Sequence, residues 1–145
     1  MRRLLLLSLV ALMALVVFPG CEGDDGGISE TGTEVEMCDL DPYDPFDLGK
    51  VYIDGDSIRI DVSYSGGCEE HFFKLCWDEI FMESDPVQTN LTLVHEGNKD
   101  GCEAYVSESL SFDLTPMKEE WQQAYDSDSG TMIIHLKGRS VSYDF

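Results

Sequence analysis

Positive charge is scarce in this chain. Its 145 residues include 9 Lys and Arg against 29 Asp and Glu, so the formal net charge is −20. Such a surface repels the phosphate backbone of nucleic acids and the anionic headgroups of a membrane. The composition therefore argues against a nucleic-acid partner, and any membrane attachment must come from something other than surface charge.

Familiar catalytic motifs are also missing. The sequence contains no Gly-x-Ser-x-Gly, no His-Glu-x-x-His and no phosphate-binding loop. Its three histidines, His71, His95 and His135, fall in strand patterns or at their ends, and no local signature links one to a thiol. We therefore expect a non-enzymatic protein. A hydrolase is an alternative, because a catalytic pair cannot be picked out among 29 acids without geometry.

The sequence has only one long apolar run, which extends from Leu4 to Phe18. At 1.5 Å per residue a helix of this length reaches about 22 Å, less than the ~30 Å hydrocarbon core of a bilayer. A basic start and a short apolar run are typical of a signal peptide, which we place at residues 1–20.

The end of this run resembles the lipobox of bacterial lipoproteins, because Gly20 directly precedes Cys21. The resemblance implies cleavage before Cys21, a palmitate-type lipid on its sulfur and anchoring in the cell envelope. The same resemblance implies the outer membrane, because Glu22 rather than an Asp follows the cysteine. Phe18 and Pro19 depart from the commonest lipobox, so an ordinary secretory signal is the alternative. Cleavage would leave 7 Lys and Arg against 29 Asp and Glu, a net charge of −22.

The segment after the cysteine is acidic and rich in glycine. It cannot bury enough apolar surface to offset its ordering entropy, so residues 21–36 predict a disordered tether. Alternating apolar residues then begin, and Tyr43, Phe46 and Leu48 predict an extended arm across a core. We place the folded domain, including this arm, at residues 37–145.

Period-two hydrophobicity dominates the folded part. It predicts seven short strands, at residues 50–53, 57–64, 71–77, 88–94, 104–112, 131–136 and 140–145. An apparent change of phase near Glu108 predicts a β-bulge. The pattern indicates an all-β, antiparallel, immunoglobulin-like β-sandwich.

One helix interrupts the strands. Thr115 is a candidate N-cap, and Pro116 suits a first helical turn. Met117, Trp121 and Tyr125 recur at a spacing of four residues, which predicts an apolar stripe that covers an open end of the sandwich.

The segment GGCEEHFF at residues 66–73, together with the lipoprotein layout, resembles small bacterial envelope lipoproteins of the NigD-like type. The resemblance covers residues 60–136. It implies a β-sandwich as the C-terminal domain, and it brings no motif of known chemistry.

Four cysteines remain after Cys21, which in an exported chain indicates two disulfides. Cys68 and Cys76 bracket one predicted strand, so they lie too far apart to pair. Cys68 and Cys102 begin strands that run in the same direction from one end of the domain. We therefore predict the pairs Cys68–Cys102 and Cys38–Cys76.

A candidate metal site follows the predicted strand at residues 88–94. Glu96, Asn98 and Asp100, followed by Gly101, mimic the start of a calcium-binding loop. Lys99 brings an unfavourable positive charge into it, so a simple hairpin turn is the alternative.

Three functions are compatible with these features. The first is a lipid-anchored envelope lipoprotein that binds an envelope protein or glycan without catalysis, or packs against it as a structural module. A calcium-dependent binding module and a hydrolase are the alternatives.

Overall fold

Two packed sheets and one helix form the fold of the computed structural model, which describes residues 33–34 and 43–145. The strands are β1 (Thr33–Glu34), β2 (Asp47–Asp54), β3 (Ser57–Gly66), β4 (Phe72–Trp77), β5 (Val87–Glu96), β6 (Ala104–Asp113), β7 (Thr131–Leu136) and β8 (Arg139–Asp144), and α1 (Thr115–Tyr125) lies between β6 and β7. One sheet has the order β1-β6-β3-β2, and the other has the order β4-β5-β7-β8. The predicted all-β sandwich with one helix is confirmed.

The core lies between the sheets because β3, β5 and β7 bury alternate side chains. On β3, the residues Ile58, Ile60, Val62 and Tyr64 are all buried, as the alternation predicts. They face buried residues of the second sheet, which include Leu75, Leu91, Leu93, Ile134 and Tyr143. Full burial of one such aliphatic side chain contributes roughly 1.5–3 kcal/mol.

The predicted bulge near Glu108 is wrong. β3 and β6 pair antiparallel without a break, from Ser57 opposite Asp113 to Gly66 opposite Ala104. Glu108 keeps the phase of the inward positions, and its carboxylate accepts a hydrogen bond of 3.2 Å from the Tyr64 hydroxyl. In the sequence, a polar residue at an inward position looks like a change in the phase of the hydrophobic alternation.

Strand pairing departs from the expected antiparallel pattern in two places. β5 and β7 are parallel, with Val87 opposite Met132, and β1 is parallel to β6. The sheets of an immunoglobulin-like domain are antiparallel. The connectivity therefore differs from that class, because the chain reaches β7 from β5 by way of β6 and α1.

Helix α1 closes one end of the sandwich by burying Met117 and Trp121. Thr115 is its first residue rather than its N-cap, and the Asp113 carboxylate accepts hydrogen bonds from the Thr115 backbone N–H and hydroxyl, at 2.9 and 2.6 Å. Tyr125, predicted on the buried stripe, is 40% exposed. No helix among the described residues is long and apolar enough to cross a membrane.

The N-terminal expectations meet the structure only in part. The signal peptide, Cys21 and Cys38 lie outside the described residues. Thr33–Glu34, which the sequence assigned to the tether, pair with β6. Within the predicted arm, Phe46 is buried, Leu48 is half-buried and Tyr43 is exposed.

Candidate functional site

A cleft of about 330 Å³ opens at the end of the sandwich opposite α1. It is formed by the arm before β2, the paired ends of β3 and β6, the loop at residues 97–102, and the two histidines His71 and His95. Its lining mixes aromatic rings, imidazoles, hydroxyls and carboxylates. They include Asp44, Asp47, Tyr64, His71, His95 and Tyr105.

A disulfide fixes the wall of this cleft. Cys68 and Cys102 are bonded with a Cα–Cα distance of 5.9 Å, which confirms the predicted pair. The bond joins the β3–β4 loop to the β5–β6 loop, and both loops pass from one sheet to the other. Cys76 is also disulfide-bonded. Its predicted partner, Cys38, lies outside the described residues, so that pair stays a prediction.

Asp100 organises the same two loops. One oxygen of its carboxylate accepts hydrogen bonds from the backbone N–H groups of Cys68 and Glu69, at 2.9 and 3.0 Å. The other oxygen accepts one from the Cys102 N–H at 2.8 Å. The three N–H groups, from Glu69, Cys102 and Cys68, hold the pKa of Asp100 well below its usual range, and His71 lowers it further.

The predicted calcium ligands are placed differently from a cation cage. Asn98 and Lys99 both have positive φ, of 51° and 58°, and the Asp100 N–H donates to the Gly97 carbonyl at 2.8 Å. This is the geometry of a tight β-turn with positive φ at both central residues, where Asn is favoured. The structure groups Asp100 with the disulfide sulfurs of Cys68 and Cys102 and not with Glu96. Calcium binding stays a prediction.

Two histidines form the floor of the cleft. The Nδ1 of His71 lies 2.8 Å from the Nε2 of His95, and the Nε2 of His71 lies 3.2 Å from the Asp100 carboxylate. The Nδ1 of His95 lies 3.3 Å from the Asp44 carbonyl oxygen. Asp100, His71, His95 and the arm therefore form one hydrogen-bonded chain.

The hydrogen bonds that link Asp100, His71, His95 and Asp44 require a defined number of protons on the two imidazole rings. The Asp44 carbonyl and the Asp100 carboxylate can only accept, so each end needs an N–H from the adjacent ring. The contact between His71 and His95 needs one more proton. All three bonds are made only when the two rings carry three protons, that is, when one ring is an imidazolium.

Packing disfavours a positive charge on the His95 ring. The His95 ring stacks on Phe73, with centroids 4.4 Å apart and planes 7° apart, and the residue is 1% exposed. Burial lowers the pKa of His95, although the Asp44 carbonyl opposes the shift, and the neighbouring His71 lowers it further. The charged form of the His95 ring is therefore disfavoured.

The rim of the cleft is more exposed than its floor. Tyr105 is 70% exposed, and its hydroxyl lies 3.4 Å from the Asp47 carboxylate. The Asp44 carboxylate accepts a hydrogen bond of 2.8 Å from the Gly97 N–H, so the arm and the loop are tied together. The rim thus presents an aromatic face beside carboxylates in a fixed arrangement.

A further histidine, His135, lies on the outer face of the sheet β4-β5-β7-β8. His135 contacts the Ser140 hydroxyl through Nδ1 and the Gln88 amide oxygen through Nε2, both at 2.8 Å. The order Ser–His–Gln imitates a nucleophile, a base and an orienting group. Ser140 is directly opposite His135 on paired strands, so the contacts are ordinary cross-strand pairs on a sheet face.

Sequence reasoning missed the His71–His95–Asp100 chain. Its members lie 24 and 29 residues apart, so no local motif could reveal it. One available indication was the position of His95, which follows Leu91 and Leu93 on the inward face of β5. An inward polar side chain needs partners, and those partners supply the site.

No protein-family model matches the chain, and no curated protein does either. Among solved structures, the fold is similar to that of a NigD-like immunity protein from Bacteroides caccae, with a TM-score of 0.57 and 17% sequence identity. That match covers 76% of this chain and 57% of the other, so this chain spans little more than half of its length. A candidate lipoprotein from Bacteroides fragilis aligns over 79% of this chain and 68% of its own, with a TM-score of 0.48 and 10% identity. The resemblance to NigD-like proteins is therefore confirmed for the fold, which is all that such identities show.

Proposed function

We propose that the protein is a non-enzymatic binding module, lipid-anchored in the cell envelope, whose ligand occupies the cleft. The observation that carries this proposal is the pairing of a fully hydrogen-bonded histidine floor with an open aromatic and polar rim. The floor holds the cleft in shape, and the rim offers the contacts.

The histidine floor favours binding over catalysis. A general base must have a ring nitrogen within reach of a substrate proton. In His71 and His95, all four ring nitrogens already contact each other, Asp100 or Asp44. A substrate would have to displace one of these bonds before either ring could act.

The rim fits a neutral, polyhydroxylated ligand of the saccharide class. Tyr105 offers a flat apolar face with a polar edge, which suits the mixed surface of a sugar ring. Asp44 and Asp47 offer carboxylate acceptors for hydroxyl groups, and their charge disfavours anions. The cleft volume is at the lower end of the usual range for small-molecule sites, roughly 300–1,000 Å³.

Binding is tested by presenting the purified protein to an array of neutral oligosaccharides and measuring affinities for those retained. Tyr105→Ala and Asp47→Asn should each weaken binding about tenfold or more, because each removes a rim contact. Tyr52→Ala is the matched control, since Tyr52 is 38% exposed on β2 and does not line the cleft. Equal affinities for all three variants and the parent would contradict a ligand in the cleft.

Anchoring is tested separately by metabolic labelling with a radioactive fatty acid. The parent chain should incorporate label and sediment with membranes, whereas Cys21→Ser should incorporate none, because the thiol is the predicted acylation site. Membrane retention without any label in the parent chain would contradict a lipid anchor and leave the cleft proposal untouched.

A further inference from the structure

An apolar patch lies at the end of the sandwich opposite the cleft. Ile80 and Met82, in the β4–β5 loop, are 59% and 36% exposed, and Tyr125 at the end of α1 is 40% exposed. Phe81 lies between them in sequence, and its ring centroid is 6.2 Å from that of Tyr125. These four residues are called the distal patch.

The distal patch is held in place by hydrogen bonds. The Ile80 carbonyl accepts a bond of 2.8 Å from the Thr89 hydroxyl, and the Met82 N–H donates to the Gln88 carbonyl at 2.7 Å. Phe81 packs on Trp77, with centroids 5.3 Å apart. The apolar side chains therefore lie on an ordered loop, and their exposure is not caused by fraying of a strand end.

Negative charge accompanies the distal patch. The loop at residues 78–86 contains no Lys or Arg and contributes four acids, which are Asp78, Glu79, Glu83 and Asp85. Asp126 and Asp128 follow the end of α1. A helix C-terminus carries partial negative charge and favours nearby cations, yet the last turn of α1 has no basic residue.

We propose that the distal patch is a docking surface for a cationic amphipathic segment of a protein partner. Apolar side chains of that segment contact Ile80, Met82 and Tyr125, and its Lys or Arg side chains face the surrounding carboxylates. Apolar exposure accounts for affinity and the charge complementarity for orientation and association rate. An anionic bilayer surface does not fit, because its headgroups repel the same carboxylates.

The probe is a synthetic amphipathic helix of Leu and Lys. It is titrated into the purified protein, and calorimetry measures the affinity. If the protein is acylated, it is held in phosphatidylcholine nanodiscs. Ile80→Ser combined with Met82→Ser should weaken binding about tenfold or more. Tyr52→Ser, on β2, is the matched control and should leave the affinity unchanged. Unchanged melting temperatures of the variants establish that the fold is retained.

A second peptide separates docking from charge attraction alone. In this peptide every Leu is replaced by Ser while every Lys is kept, and it should bind about tenfold more weakly or worse. Equal affinity of the two peptides, or equal affinity of the parent and the Ile80/Met82 variant, would overturn the proposal. Binding of the protein to phosphatidylcholine vesicles that is lost in that variant would identify a lipid occupant instead, and would also overturn it. None of these substitutions touches the cleft, so the outcome is independent of saccharide binding.

Discussion

At the scale of single residues, buried polar groups define the cleft. His95 is 1% exposed, and the side chains of His71 and Asp100 are 3% and 1% exposed. Each is retained in the interior because it has hydrogen-bond partners, which removes most of the cost of burying it. The sequence placed His71 in a predicted strand and His95 directly after one, but the contact between them depends on the pairing of Phe73 with His95 across β4 and β5.

Histidine burial predicts that stability falls when the pH drops below about 6.5. The pKa of His95 is lowered in the folded protein, chiefly by burial. The unfolded chain therefore takes up a proton that folded His95 does not, and the free energy of unfolding decreases as the pH falls. Urea unfolding midpoints at pH 7 and pH 5 measure this decrease.

His95→Phe should reduce the difference between the two midpoints, whereas His135→Gln, on the outer sheet face, should retain it. An equal difference in the His95 variant and the parent would show that the decrease has another origin.

The calcium hypothesis makes its own residue-scale prediction. Millimolar calcium should raise the melting temperature, and Glu96→Gln should remove the rise. This variant is a cleaner test than a change at Asp100, because Asp100 also holds the backbone N–H groups of Cys68, Glu69 and Cys102. A melting temperature unchanged by calcium would end the hypothesis.

At the scale of elements, strands were predictable where alternation is strict. β3 was predicted from residues 57–64 and spans Ser57–Gly66, because its inward residues are all apolar. In β6 the bulge predicted near Glu108 was wrong, because a polar side chain occupies an inward position there. The parallel pairing of β5 with β7 could not be predicted, since it depends on where the crossover through β6 and α1 returns the chain. Hydrophobic periodicity identifies an inward face but not the neighbouring strand.

Close packing of α1 against the start of β7 predicts a cost for Gly130→Ala. A Cβ atom at Gly130 would lie 2.2 Å from the Trp121 ring, which is itself buried. Overpacking of this kind costs roughly 1–3 kcal/mol. Gly101→Ala is the matched control, because its Cβ would meet nothing within 4 Å. Urea denaturation compares the two, and equal stabilities would show that the helix shifts freely.

Removal of the Cys68–Cys102 disulfide should destabilise the domain. The bond closes a loop with a sequence separation of 34 residues. In the chain-entropy model, a loop of this size contributes on the order of 3–4 kcal/mol. The double variant Cys68→Ser and Cys102→Ser, compared with the parent by denaturant unfolding, measures the loss. An unchanged midpoint would show that the Asp100 hydrogen bonds alone fix these loops.

At the scale of the whole molecule, the sandwich separates two surfaces. The cleft occupies the end that carries the Cys68–Cys102 disulfide, and the distal patch occupies the end closed by α1. The sequence predicted the sandwich and the disulfide Cys68–Cys102. It did not predict the cleft, because the lining comes from segments more than fifty residues apart, such as Asp47 and Tyr105.

The most direct test of the central claim is a two-dimensional NMR titration of the protein with neutral oligosaccharides. Binding in the cleft predicts chemical-shift changes at the amides of Asp47, Ser65 and Tyr105, which belong to its rim and walls. The amides of the distal patch, from Ile80 to Met82, should not move. Shifts at the distal patch without shifts at the rim, or no shifts with any oligosaccharide, would contradict the account.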